Sequence, residues 1–163
     1  MSRAGTIDGT QFARDRGTVS GTLGIGALPR LAESACEAAT IRYTIRGGAN
    51  AEGQPCLAIE ASGTLRLACQ RCLAALEFPV GLAVELELAQ SEREIAAAED
   101  EVDRVLATRS MDVAALVEDE VLLALPIAPM HERCEAAIGQ HDASRASPFD
   151  ALAGLRKGGG GRG

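Results

Sequence analysis

Phe78-Pro79-Val80-Gly81-Leu82-Ala83-Val84-Glu85-Leu86-Glu87-Leu88 alternates apolar residues with small or charged ones from end to end. That period of two puts Phe78, Val80, Leu82, Val84, Leu86 and Leu88 on one face of a long, half-buried strand. Pro79 has no N–H to give a neighbour, so its end of the strand is expected at a sheet edge or a bulge. Upstream, Leu57, Ile59 and Ala61 keep the same rhythm, as do Leu65 and Leu67, and the intervening Ser62-Gly63 reads as a two-residue hairpin turn. Ile41, Tyr43 and Ile45 alternate with Arg42, Thr44 and Arg46 until Gly47-Gly48 ends that strand. Val19 to Ile25 is a further strand, and Pro29 is placed to open a short helix through Leu31 toward Cys36.

The rhythm changes after Asp112. Val113, Leu116, Val117, Val121, Ala124 and Leu125 recur at helical spacing, with Asp112 as N-cap and Pro126 as the stop. Between strand and helix, Ser91 to Asp103 is acidic with a small alanine run, which reads as solvated surface. Phe149, Leu152 and Leu155 share one face of a short closing helix. The sequence therefore predicts an α+β fold: a mostly antiparallel β-sheet, one main amphipathic helix and a short C-terminal helix. Residues 1–157 are read as one domain with an acidic insertion over 90–110, and 158–163 as a disordered glycine-rich tail.

At 163 residues and 47% hydrophobic, the chain has material for one core. Its aromatics are Phe12, Phe78, Phe149 and Tyr43 alone, which rules against rows of bases stacked on rings. A net charge of -7 opposes broad attraction to phosphate and confines nucleic-acid contact to local basic patches. Met1 to Thr10 is polar, and the longest apolar run, Val121 to Met130, is too short for a bilayer and holds two prolines. These features predict a soluble cytoplasmic protein with no membrane contact, in which five cysteines stay mostly reduced.

In that setting the close pair Cys69-Gln70-Arg71-Cys72, between two strands, is a candidate metal half-site. His131-Glu132-Arg133-Cys134 offers the other half, an imidazole and a thiolate three residues apart. Together they make a Cys3His set able to surround one zinc ion with no open position, hence a structural zinc. Free thiols are the plain alternative. A redox role for the CxxC pair is a weaker one, because the motif does not open a helix after a strand. Cys36 and Cys56 read as small buried hydrophobes.

Glu120 falls inside the apolar face of the helix, four after Leu116 and four before Ala124, while Glu118 points away. A carboxylate there needs a partner, with Arg71 the first candidate for a structural pairing. Arg42, Arg46, Arg66, Arg71, Arg156 and Lys157 are the candidate contacts for RNA or another partner; their plain reading is a solvated face offset by Glu60, Glu85 and Glu87. No Ser/His/Asp order, phosphate-binding glycine loop, HExxH or carboxylate pair with enzymatic spacing is present.

Three segments together resemble the YceD family, the large ribosomal RNA subunit accumulation proteins. They are Leu67 to Cys72, Leu116 to Pro126 running on to His131 and Cys134, and Ser147-Pro148-Phe149 with Leu152 and Leu155. The resemblance covers roughly residues 15 to 157. It implies a role in the synthesis, processing or stability of 23S rRNA, in a family often encoded beside a large-subunit ribosomal protein. In this chain only Glu132-Arg133 separates the His from the Cys, which constrains how both can face one ion. The expectation is a non-enzymatic biogenesis factor whose partner is 23S rRNA, its precursor or a large-subunit ribosomal protein. A thiol redox protein and a small zinc-stabilised adaptor of another complex are the alternatives.

Overall fold

The computed structural model describes residues 5–34, 36–98 and 101–134; the expected closing helix at Phe149, and with it Arg156 and Lys157, lies outside them. The chain runs β1 (Thr6–Ile7), α1 (Gly9–Arg14), β2 (Thr18–Gly24), a 3-10 turn (Ile25–Ala27), α2 (Pro29–Glu33) and β3 (Ala38–Ala49). It continues through β4 (Pro55–Ala68), β5 (Ala75–Ala89), α3 (Glu92–Ala97), β6 (Arg104–Leu106), β7 (Met111–Asp112) and α4 (Val113–Ala124). Strands β2-β3-β4-β5-β6 form one sheet in that order, antiparallel except for the parallel β5–β6 pair, and β1 pairs with β7. The fold is thus α+β and dominated by antiparallel sheet.

The alternating pattern places Ile41 and Ile45 of β3, Leu57, Ile59 and Leu65 of β4, and Val80 and Leu86 of β5 on one buried face. Helices cover that face: α1 over β3 and β4, and α4 over β4 and β5, with α2 against α4. Leu28, Leu31, Val113, Val117 and Val121 are fully enclosed there. Each such side chain contributes about 1.5–3 kcal/mol through its removal from water. The opposite face, carrying Arg42, Glu60, Ser62, Thr64 and Gly81, is open to solvent.

Ser62-Gly63 is not a turn. Strand β4 runs straight through it, Ser62 opposite Arg42 and Gly63 opposite Ile41. The glycine serves a close approach instead, since a Cβ there would lie 2.0 Å from the Thr40 carbonyl oxygen. Nor do Gly47 and Gly48 end β3; a Cβ at Gly47 would meet the Phe12 carbonyl at 2.4 Å, so this glycine lets α1 pack on the strand. The real β3–β4 turn lies at 50–54, where the Asn50 side chain accepts from Glu52 and Gln54 N–H groups and Gly53 takes φ 82°.

Asp112 caps α4 as expected, accepting from the Ala114 and Ala115 N–H groups at 2.8 and 3.1 Å. Pro79 sits where β5 has a partner only in β4, because β6 pairs with Glu87–Ala89 alone. The acidic segment contains α3, capped by Ser91, which returns the chain to β6. There Glu87 is held by Asn50 at 2.7 Å and by Arg104 at 3.0 Å, a buried polar group tying the β3–β4 turn to the far edge of the sheet.

Candidate metal centre

Strand β4 delivers Cys69 to the end of the sheet, and the loop that follows folds back tightly. Cys69 N–H donates to the Ala74 carbonyl and Leu73 N–H to the Cys69 carbonyl, both at 2.9 Å, before β5 begins. Leu73 closes the turn in the left-handed region, φ 61°. Such a loop turns the side chains of Cys69 and Cys72 toward one point. On the other side, Pro126 follows the end of α4, and the irregular chain beyond is pinned by the Gln70 N–H donating to the Pro129 carbonyl at 2.9 Å. That bond brings His131 and Cys134 onto the cysteine loop.

Ligand atoms of Cys69, Cys72, His131 and Cys134 all lie within 4.8 Å of one another. A zinc ion with ordinary bond lengths at a tetrahedral centre sets S···S edges of about 3.8 Å and S···N edges of about 3.6 Å. Cys69 and Cys134 sulfurs are 3.9 Å apart, and the Cys72 sulfur is 3.4 Å from His131 Nδ1. The donor set and its spacing therefore fit a tetrahedral ion. The short Glu132-Arg133 spacer does not prevent His131 and Cys134 from facing the same point.

The surroundings suit a metal site. His131 Nε2 lies 3.1 Å from the Ala75 carbonyl oxygen, a contact that fixes the proton on Nε2 and leaves Nδ1 bare toward the cysteines. The Cys69 thiol is lowered to about 5, chiefly because the Cys72 N–H points at its sulfur; burial opposes this, and the His131 and Arg71 N–H groups add to it. Burial pushes the Cys134 thiol up, and the adjacent Cys69 sulfur adds to the effect. A cation held there would reverse that last effect, because a coordinating thiol loses its proton.

The other candidate residues are dispersed. Arg46 pairs with Glu60 at 2.8 Å and Arg66 with Glu37 at 3.3 Å, half-exposed pairs on the open sheet face that add little stability. Arg42 stands on the same face with no ion pair among the described residues. Arg71 does not reach Glu120; its guanidinium lies 3.8 Å from the Met130 sulfur. The expected pairing is thus absent, because the cysteine loop meets the chain beyond α4, at Pro129 and Met130, while Glu120 lies within the helix. Glu120 is nonetheless buried, and burial first, then Asp103 and Asp119, raise its carboxyl above the ordinary value.

The helical wheel points Glu118 away from the core, but it is the more deeply buried of the two. It accepts from the Leu31 backbone N–H at 3.0 Å and from Arg30 Nε at 3.2 Å. Helix α2 has Leu28 at its N-cap, with no side-chain cap bond, so its orphan N–H is met from 87 residues away by this carboxylate. The signal in the sequence was a helix opening at Pro29 without a capping residue before it.

Among the described residues, the structure is that of a helix-backed antiparallel sheet with four thiol and imidazole donors converging at one end. No helix there is long and apolar enough to cross a membrane. The sequence profile of the family described as large ribosomal RNA subunit accumulation protein YceD matches residues 57–156, well over half of the chain. The protein belongs to the YceD family. That description ties it to accumulation of the large-subunit ribosomal RNA. No solved structure matches the chain.

Proposed function

We propose that this chain is a non-enzymatic cytoplasmic factor in large-subunit biogenesis. It supports synthesis, processing or stability of 23S rRNA by binding the RNA, its precursor or a large-subunit ribosomal protein. Cys69, Cys72, His131 and Cys134 would hold one structural zinc. The observation that carries this reading is the closed Cys3His set in a member of a ribosomal RNA accumulation family. Four protein donors fill a tetrahedral ion and leave no position for water or substrate. The ion would instead supply a clip, joining the 69–74 loop to the chain beyond α4, with its binding free energy contributing to folding.

The lowered Cys69 thiol is what favours the rival reading, a redox pair with Cys72. Metal content separates the two: purified protein carrying one zinc per chain supports the clip, and metal-free protein cycling between dithiol and disulfide supports the rival. The functional test is the 23S to 16S rRNA ratio in cells depleted of the protein. A selective fall in 23S, restored by the wild-type gene and not by Cys69→Ser/Cys72→Ser, is the expected outcome. An unchanged ratio on depletion refutes the proposal.

A further inference from the structure

From the groove between α1 and the β3–β4 turn we infer that it is a docking site for the phosphodiester backbone of RNA, with Arg14 and Arg16 as its phosphate ligands. This rests on the RNA-binding form of the function proposed above. The groove encloses about 310 Å³ and is lined by Thr10, Arg14, Arg16, Gly48, Gly53 and Pro55, among others. Its walls are fixed by packing. Ala13 of α1 is buried, and Gly47 admits the helix backbone against β3.

The charge in the groove is unbalanced. Arg30, Arg46, Arg66 and Arg104 each hold a carboxylate, whereas Arg14 and Arg16 have no ion pair among the described residues, in a chain of net charge -7. No acidic residue lines the groove: Asp15, between the two arginines, keeps its charge but is turned to the Gln11 amide at 2.7 Å, and Glu52 is next in sequence to the lining residue Gly53 without lining the groove itself. Two exposed guanidinium forks beside a hydroxyl and a floor of small residues match a ribose-phosphate strand, which Arg binds bidentately. With no aromatic lining the groove, such binding reads the backbone and not the bases.

A second, independent observation is the backbone at Arg16. Helix α1 ends with the Gly17 N–H donating to the Phe12 carbonyl at 2.9 Å and the Arg16 N–H to the Ala13 carbonyl at 3.2 Å. That is a Schellman ending, whose left-handed residue is usually glycine. Here the position is Arg16, φ 51°, although a glycine stands next to it at 17. Among the described residues Arg16 shares this state only with Leu73, which closes the cysteine loop of the candidate metal centre, and backbone strain of this kind clusters at binding sites.

The test uses the full chain, zinc-loaded, and a fluorescently labelled transcript of a 23S rRNA segment, followed by anisotropy between 50 and 200 mM salt. Arg14→Ala/Arg16→Ala is expected to weaken binding at least tenfold and to flatten the slope of log K against log salt by about 1–2, one step per phosphate released. Arg16→Gly is the decisive variant: weaker binding by severalfold together with a thermal midpoint equal to or above wild type, since the backbone strain is relieved. Ala49→Glu, which sets a carboxylate at the end of β3 in the groove lining, weakens binding too, and Arg93→Ala, an exposed arginine on α3, does not. Wild-type affinity in Arg16→Gly, or equal loss in Arg93→Ala, overturns the groove while leaving RNA binding intact. A wild-type protein that binds no RNA overturns it as well, and the 23S ratio in depleted cells then decides separately whether a protein partner carries the biogenesis role.

Discussion

Removing the Glu118 carboxylate should destabilise the fold far more than removing its neighbours Asp119 or Glu120. Glu118 accepts two hydrogen bonds, one from the buried Leu31 N–H at 3.0 Å and one from Arg30 Nε at 3.2 Å. A hydrogen bond to a charged acceptor is worth about 1.5–3 kcal/mol, and a stranded buried N–H costs about 1–3 kcal/mol. Because Arg30 remains half-exposed and can turn to water or to Asp119, the loss at Leu31 dominates, and Glu118→Ala should cost about 3 kcal/mol. For a chain of this size that lowers the thermal midpoint by about 6–12 °C. Glu118→Gln keeps an acceptor for Leu31 and should lose less. Asp119→Ala removes only a half-exposed partner of Arg30 and should stay near wild type. Urea and thermal unfolding of the zinc-loaded proteins at pH 7 measure all three. If Glu118→Ala matches Asp119→Ala to within about 0.5 kcal/mol, the idea that this carboxylate caps α2 across the core is wrong.

The remaining expectations concern Glu120, Gly63 and the metal. Burial raises the folded Glu120 carboxyl above its ordinary value of 4.5, so the native state binds that proton more tightly than the unfolded one. Stability is therefore lost as pH rises from 4.5 through the raised value, and the loss is complete above it. Glu120→Gln should accordingly unfold at higher urea than wild type at pH 7 and match it below the ordinary carboxyl range; a variant weaker than wild type at pH 7 would contradict this. Gly63→Ala must move the Thr40 carbonyl, 2.0 Å from the new Cβ, and should cost about 2–3 kcal/mol in urea unfolding, whereas Ser62→Ala on the open face should be nearly silent. Chelation of the zinc-loaded protein should lower its thermal midpoint and expose Cys69, Cys72 and Cys134 to thiol reagents, with Cys36 and Cys56 protected in the core. Equal labelling of all five before and after chelation would argue against a metal at this cluster.

Much of the sheet was legible because period-two alternation reports directly which side chains face a core. The same pattern could not tell what Gly63 does. A glycine between two apolar runs is as compatible with a turn as with a close backbone approach, and only the Thr40 carbonyl opposite it decides between them. The β5–β6 pairing was hidden for another reason. A three-residue parallel strand reached through α3 carries too little pattern to be seen, and its register is held by Glu87, Arg104 and Asn50, residues far apart in sequence. Glu118 misled because a helical wheel ranks residues against one core face. A second contact, from α2, turned the supposed outer edge of α4 into an interior.

The metal cluster was legible in its residues and not in its assembly. Two half-sites 59 positions apart name the donors, but their meeting depends on where β4 and α4 stop. Strand β4 ends at Ala68 and α4 at Ala124, and α4 lies across β4 and β5, so both segments emerge at the same end of the sheet. The Gln70 N–H to Pro129 carbonyl bond then sets the two loops side by side before any ion is needed. The Ala75 carbonyl aims His131 from the first residue of β5, so the orienting group is part of the sheet itself. A site built in this way has its donors partly organised by the hydrogen-bond ladder. Metal binding should therefore tighten a loop pair that the fold has already brought together, and loss of the metal should loosen that end of the molecule without dissolving the β3–β4–β5 sheet behind it.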